Sequence, residues 1–323
     1  MSAVSVVIPN WNGAGRLDAL LPSLLLQTLT PFETIVVDNG SEDDSVAVAE
    51  SHHSRMIRFP SNLGFAKAVN AGVAEARSEL VAVLNNDVRL DPNWLDIAVR
   101  AIGDRPFAVG KLLSVSKPAV LDGCFDALCR GGCAWRVGFD RPDTGIWNEP
   151  RTVQFPPFTA VLIRRDFFLS MDGLDEDFES YLEDVEFGLR CASKRYTGVY
   201  VPHAVAYHEG SATLGQWNPQ TVRKLSRNQL LLVAKHYDLP SLLHCGWPIA
   251  TAQLLWGLVA LKHGAGLAWL SGKIEGVRRF GSCRGSHFDP RLTSILGSSE
   301  NEIRELQHLT GWDWYWRLYF ALT

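Results

Sequence analysis

A short apolar run at residues 80–84, LVAVL, stops abruptly at Asn85, Asn86 and Asp87. Five apolar residues in a row fit a strand buried on both faces. A carboxylate at the C-terminal end of such a strand is where open α/β sheets bind ligands. One carboxylate working with bound phosphates is also the usual way proteins hold Mg²⁺ or Mn²⁺. The chemistry implied is metal-assisted handling of a diphosphate. Three more strand ends carry polar residues: Pro9-Asn10-Trp11-Asn12, Asp38-Asn39-Gly40-Ser41 and Tyr207-His208. Ends of successive parallel strands share one edge, so these groups can converge on a crevice. There Asp38 would accept a hydrogen bond from a nucleotide base or ribose, although Asp-Asn-Gly-Ser is also strong turn chemistry. His208 would ligate the metal or meet the diphosphate; a lone histidine serves structure at least as often.

The segment 181–190, YLEDVEFGLR, is the second chemical signal. Leu182, Val185 and Leu189 fall on one helix face, and Glu186 with Arg190 is an i,i+4 pair in the favourable order. Glu183 and Asp184 stand in the first turn, where the helix dipole favours negative charge without any chemistry. The functional reading makes Asp184 a general base that takes a proton from an attacking hydroxyl.

These residues need a scaffold, and the first hundred positions supply one. Strand patterns at 5–8, 34–37, 56–59 and 80–84 alternate with helical patterns at 17–26, 43–51, 64–76 and 92–102, with Ser41 and Asp91 as expected N-caps. Such alternation predicts a mainly parallel sheet with helices on both faces. Residues 114–157, rich in Gly, Pro and Asp, read as an irregular excursion in which Trp135 and Trp147 could stack on a sugar. A strand at 159–163, a helix at 182–194 and short strands at 197–201 and 205–208 follow. From about Pro219 the chain reads as all helix, and a boundary at 225 divides a catalytic domain (1–225) from a C-terminal helical region (226–323).

The bulk numbers fit this. At 323 residues, 46% hydrophobic and 20% charged, the chain can bury a full core. A net charge of −4 gives no general attraction to nucleic acid. Six cysteines without a C-x-x-C spacing read as free thiols in a reducing compartment. No secretory leader pattern precedes the first strand, so the expected location is cytoplasmic.

Together the motifs VSVVIPNWNG (4–13), ETIVVDNGSEDDS (33–45), SNLGFAKAVNAG (61–72), VLNNDVRLDPNWL (83–95), GLDEDFESYLEDVEFGLR (173–190) and VPHAVAYHEGSAT (201–213) resemble family 2 glycosyltransferases of the GT-A fold, especially the bacterial rhamnosyltransferase-like branch. The resemblance implies a single Rossmann-like mixed sheet with helices on both faces plus a C-terminal helical extension. It also implies inverting transfer of a sugar from a UDP- or dTDP-sugar to a hydroxyl of a glycan or lipid-linked glycan, in cell-envelope polysaccharide synthesis. By the same resemblance Pro9, Asn10 and Asn12 line the nucleotide pocket. Asp38 contacts the base, with Asn39 beside it, and Lys67 lies near the donor with Asn85 and Asn86. Asp87 binds a divalent metal, Mg²⁺ or Mn²⁺, with His208 close by. Asp184 is the catalytic base with Glu183 next to it, and Arg227 and Asn228 stand on the diphosphate side. One departure is Asn85, where the family's metal motif has its first acid; an amide oxygen is the weaker ligand.

Rival readings explain less. Gly13-Ala14-Gly15 after a strand is a partial dinucleotide fingerprint, but Asp18 stands where its third glycine belongs. Cys124, Cys129 and Cys133 lack a fourth ligand for zinc. A non-catalytic sugar-nucleotide-binding protein would keep Asp38 and have no need of Asp184. In the helical region, residues 248–261 are nearly all apolar but fall short of the twenty or so that a spanning helix wants. A buried or dimer-forming helix is expected there. The aromatic cluster Trp312, Trp314, Tyr315, Trp316, Tyr319 and Phe320 suggests peripheral contact with a membrane surface.

Overall fold

The computed structural model describes residues 3–210, 217–285 and 288–323. The chain forms two units, one of Met1–Phe125 and Gly138–Thr213, the other of Asp126–Val137 and Leu214–Thr323. In chain order the elements begin β1 (Val4–Asn10), α1 (Ala14–Leu25), β2 (Glu33–Asp38), α2 (Ser45–Ser51), β3 (Arg55–Arg58), α3 (Phe65–Glu75) and β4 (Leu80–Leu84). They continue with β5 (Val88–Leu90), α4 (Trp94–Ile102), β6 (Phe107–Ser114), β7 (Leu121–Gly123), β8 (Asp126–Leu128), β9 (Ala134–Arg136) and β10 (Arg151–Val153). Then come β11 (Ala160–Arg164), α5 (Arg165–Ser170), α6 (Glu183–Ser193) and β12 (Gly198–His208). The helices α7 (Pro219–His236), α8 (Leu239–Lys262), α9 (Gly266–Phe280), α10 (Leu292–Thr310) and α11 (Trp314–Leu322) close the chain.

The first unit is built on one mixed sheet of order β10-β12-β6-β11-β4-β1-β2-β3. Strands β3, β2, β1 and β4 are mutually parallel. Strand β11 runs against both β4 and β6, and β12 is parallel to β6. Two reversals restore the direction, so β1, β2, β4, β6 and β12 all end on one edge of the sheet. The apolar runs of β1 and β4 are buried throughout, as strands covered on both faces must be. Alternation along β1 divides the work. Val4, Val6 and Ile8 join the core that includes Leu17 and Leu20 of α1 and Trp94 and Ala98 of α4. Val7 faces the other way, under α3, where a Cβ on Gly72 would come within 2.3 Å of it. That close approach of helix to sheet admits only glycine.

Several expected boundaries move. The 114–157 excursion is not irregular throughout; it holds β7, β8, β9, a 3₁₀ turn at Gly145–Asn148 and β10. Strands of three residues are too short to show a period. β6 also escaped the pattern, because its sequence carries Lys111, a buried cation held by Asp143 at 2.7 Å and by Asn148. The two short strands expected at 197–208 are one strand, β12, whose register shifts between Val201 and Val205. Ser41 does not cap α2, which begins after Asp44. Asp91 instead makes a turn ahead of α4, accepting from Asn93 N–H at 3.1 Å. The boundary expected at 225 falls inside α7, a continuous helix that belongs wholly to the second unit.

The second unit is helical except for the β8–β9 hairpin. The hairpin is tied in by Leu128 N–H to Ser299 Oγ at 2.8 Å, by Arg130 to Glu300, and by Gln253 Nε2 to the Gly131 carbonyl at 2.8 Å. α7 packs along α9, and α8 touches both α9 and α11. All six cysteines are free and buried, and burial pushes the Cys129 thiol well above its usual range. At 24 residues α8 is the one described helix long and apolar enough to cross a membrane by length and composition alone. That is longer than the apolar run 248–261 suggested.

Candidate active site

The shared edge of the sheet gathers the strand-end residues, and β5 is the element that closes the group. Strands β11 and β6 stand between β4 and β12. The chain bridges them by turning at Asn85–Asp87 and pairing β5 antiparallel to the end of β12, with Val88 opposite His208. Glu209 N–H bonds the Asp87 carbonyl at 3.1 Å, which fixes that turn. As a result Asp87 Oδ1 lies 3.2 Å from His208 Nε2. On the other side of the ring, Nδ1 is 2.8 Å from Asp122 Oδ2. Asp122 sits in β7, inside the stretch read from sequence as irregular, and sequence reasoning missed it. No pattern at 121–123 marks a ligand partner; only the fold brings it to His208.

The charges in this cluster are coupled. Burial alone would lower the His208 pKa, but Asp122 and Asp87 outweigh burial and hold it up at about 9. Burial raises the Asp87 carboxyl, yet contact with His208, together with its charge and that of Arg16, leaves it below the usual carboxylate range. Two carboxylates flank the ring of His208, and a divalent cation would offset their charge.

Asn86 links the cluster to β1: its Nδ2 donates to Asn10 Oδ1 at 2.7 Å, and both residues are buried. Asn10 in turn reaches Ser41 Oγ at 3.4 Å. Pro9 is buried one position earlier in β1, paired with Val37. Asn12 is exposed in a left-handed turn at φ 48°, its side chain accepting from Glu42 N–H at 2.8 Å. Asp38 is 2% exposed. Its Oδ2 accepts from Ser41 N–H at 3.3 Å, while Oδ1 meets no donor among the described residues. A buried carboxylate oxygen left so is costly unless a ligand N–H or O–H reaches it. Asn85 Oδ1 is likewise buried with no partner among the described residues.

Asn39 is different. Its amide bonds Asn62 Oδ1 at 3.1 Å, the Gly64 carbonyl at 3.0 Å and Leu63 N–H at 2.8 Å. It serves as a clamp on the 62–64 turn, with its bonding capacity largely spent. That turn then holds the approach to α6. A Cβ on Gly64, at φ +93°, would sit 2.8 Å from the Glu179 carbonyl. Ala66 N–H bonds the same carbonyl at 3.0 Å. The chain next runs through Glu179, Tyr181 and Leu182, three non-glycine residues with positive φ, into Glu183 and Asp184. Such conformations cost roughly 1–3 kcal/mol each and gather where function fixes the backbone. Glu183 is buried and Asp184 half-buried, its Oδ1 accepting from Val185 N–H at 2.8 Å. Arg190 anchors the helix, gripping Glu186 and donating to the Gly173 carbonyl at 2.7 Å.

Two further expected residues each meet an acid of the protein. Lys67 is half-exposed beside Glu176 at 3.6 Å. Arg227 belongs to the second unit, buried in α7, with its guanidinium on Asn228 at 2.8 Å and on Glu275 at 3.1 Å. The last residues of the 201–213 motif, Ser211 to Thr213, lie outside the described residues.

Among the described residues there is no cluster of three or more His, Cys, Asp and Glu side chains set to hold a metal. Asp87 and, once its Nε2 proton is displaced, His208 would supply two ligands, with the Asn85 amide oxygen close in the chain. That set fits a Mg²⁺- or Mn²⁺-type site completed by water and substrate phosphates, and not a closed protein cage.

Residues 5–124 match the family model described as Glycosyl transferase family 2. An N-acetylglucosaminyl-diphospho-decaprenol L-rhamnosyltransferase of Mycobacterium tuberculosis is 29% identical over 238 residues, which is 65% of this chain and 77% of that protein. The O-antigen biosynthesis protein RfbC of Myxococcus xanthus is 32% identical over 225 residues, 65% of this chain and 17% of that protein. Among solved structures, GalNAc-T7 with UDP, GalNAc and Mn²⁺ matches with a TM-score of 0.62 at 17% identity, over 96% of this chain and 58% of that one. At such identity the likeness speaks for the fold alone.

Proposed function

We propose that the chain, whose residues 5–124 match glycosyl transferase family 2, is an inverting, rhamnosyltransferase-like enzyme of cell-envelope polysaccharide synthesis. It moves a sugar from a UDP- or dTDP-donor to a hydroxyl of a glycan or lipid-linked glycan. The observation that carries this reading is the buried chain of contacts Asn10–Asn86, Asp87–His208–Asp122 on the edge where the parallel strands end.

Asp38 Oδ1 takes the imide N–H of uracil or thymine, a donor of the kind that oxygen lacks. Asn10, Asn12 and Asn86 shape the pocket around the nucleoside. Asp87 and His208 would hold the divalent cation, which offsets charge on the departing diphosphate when bound. Asp184 accepts the proton of the acceptor hydroxyl as its oxygen bonds to the anomeric carbon. The bond from that carbon to the diphosphate oxygen breaks, the pair of electrons leaves with the nucleotide, and the anomeric centre inverts. Positive charge on the sugar ring in the transition state is of the oxocarbenium kind. The name of the rhamnosyltransferase relative includes a decaprenol-linked acceptor, which supports a lipid-linked acceptor here and, with it, work at the inner face of the cell membrane.

The test is turnover with a panel of UDP- and dTDP-sugars plus Mn²⁺, comparing wild type with Asp184→Asn. Loss of roughly 10²–10⁴ in kcat with donor binding kept is expected for removal of a general base. A wild type that binds donor and never turns over would make this a binding protein. Unchanged turnover in the variant would pass the role to another residue.

A further inference from the structure

We propose that the exposed faces of α8 and α9 form a docking surface for an anionic lipid bilayer, on which the protein lies without crossing it. On α8, Leu243, Trp247, Leu254, Leu258 and Leu261 recur at intervals of four, seven, four and three residues, and each is between 53% and 78% exposed. That spacing keeps all five on one helical stripe, which at 1.5 Å per residue runs for about 27 Å. On α9, which packs against α8, Leu267, Leu270, Ile274 and Val277 repeat the pattern. Three of these four, with Arg223 and Arg278, line a hollow of 460 Å³. Surface leucines in such number need a partner, since soluble proteins seldom leave apolar patches of that extent in water.

Charge says which partner. From Leu239 to Gly285 the chain has five Lys and Arg, of which Lys273 is enclosed and not on the face, and one acid, Glu275, a formal +4 in a protein whose total is −4. The remainder therefore carries −8. Lys262, Arg278 and Arg279 stand on the same two helices as the apolar stripes. An apolar stripe among cations is the composition of a helix lying at the headgroup layer of an anionic membrane. A second copy of this chain suits the face poorly, because a two-fold contact brings together two patches with the same excess of cations.

Crossing is opposed by the other side of α8. Cys245, Pro248, Ala252, Leu255 and Ala260 are buried in the unit. Gln253 ties Gly131 and Lys273, so lifting the helix out would strand those polar groups. The aromatic cluster of α11 assists at one end: Trp247 Nε1 donates to the Leu322 carbonyl at 2.7 Å, which places exposed Leu318 and Leu322 of that helix beside the stripe.

The experiment is vesicle co-sedimentation of the full chain, without donor or acceptor, on phosphatidylcholine with and without phosphatidylglycerol. Binding is expected to anionic vesicles, to fall roughly tenfold or more in high salt or on removing the anionic lipid, and to need no detergent for release. Leu254→Glu with Leu258→Glu, both at exposed sites, should abolish it and keep turnover on a water-soluble acceptor. Arg278→Glu with Arg279→Glu should weaken it in proportion to anionic lipid. No vesicle binding by the wild type, or full binding by the leucine variant, overturns the proposal. A wild-type dimer that the leucine variant makes monomeric assigns the face to a second copy instead. The membrane surface extends the reading of a lipid-linked acceptor, but the measurement is independent of it, so either can fail alone.

Discussion

At the scale of single residues the decisive arrangement is Asp122–His208–Asp87. An imidazole near a metal generally has its far nitrogen fixed by a carboxylate, which sets the ring's tautomer and direction. Asp122 does this at 2.8 Å from Nδ1, leaving Nε2 for the Asp87 side. It is a positioning residue, and Asp122→Asn keeps a hydrogen-bond acceptor there while removing the charge. Loss of roughly ten- to a hundred-fold in Mn²⁺ affinity is expected, read from the Mn²⁺ dependence of the thermal shift with UDP present. The metal-free melting temperature should change little. An unchanged Mn²⁺ curve would reduce Asp122 to a structural partner. Asp38 is testable beside it. Asp38→Asn keeps its shape and loses the paired anion, so donor KM should rise with kcat nearly constant, as when uniform binding is lost.

At the scale of elements, the edge where β2 ends and the start of α6 are joined by a relay of contacts. Asn39 at the end of β2 holds the 62–64 turn, and Gly64 and Ala66 at the start of α3 hold Glu179, four residues ahead of Glu183. Gly64 has no substitute: φ is +93°, and an added Cβ would press on the Glu179 carbonyl. Gly64→Ala should therefore cost about 1–3 kcal/mol of stability, measured by denaturant unfolding, and displace the segment that presents Asp184. Its signature is a fall in kcat with donor KM held. A fall in stability with kcat unchanged would mean that the turn supports the fold and not the base. Asn39→Ala removes three hydrogen bonds from the same clamp and should move both quantities in the same direction.

At the scale of the whole molecule, what could be read from sequence followed the lengths of its elements. Runs such as 80–84, and the polar residues that stop them, announce the sheet and the edge where its strands end. β5, β7 and β10 have three residues each, and a period of two cannot show itself in so few. Asp122 stayed hidden for that reason, and Lys111 hid β6 by putting a charge in a buried strand. Resemblance alone places Arg227 on the diphosphate side; its ion pair with Glu275, 48 residues on, is visible only in the packing.

Packing also creates a pH dependence that no motif carries. Lys273 of α9 is enclosed by the Ser226 carbonyl, Gln229 and Gln253, and burial pulls its pKa down to about 7. In the unfolded chain a lysine titrates near 10.4. Between those values the unfolded state holds a proton that the folded state has lost, so this residue makes stability rise with pH across that window. His208, held up at about 9, works in the other direction: its contribution is complete below about 6.5 and fades as pH passes 9. The wild-type slope is the sum of opposing parts, and the useful quantity is the difference between wild type and Lys273→Met at each pH. Leaving three acceptors without a donor costs the variant the same at every pH, so it shifts the difference without tilting it. Unfolding midpoints taken from pH 6 to pH 9 should show a nearly constant difference below about pH 7 and wild type gaining on the variant from there upward. A flat difference would mean that Lys273 keeps its proton in the fold, with the surrounding oxygens outweighing the cost of burial.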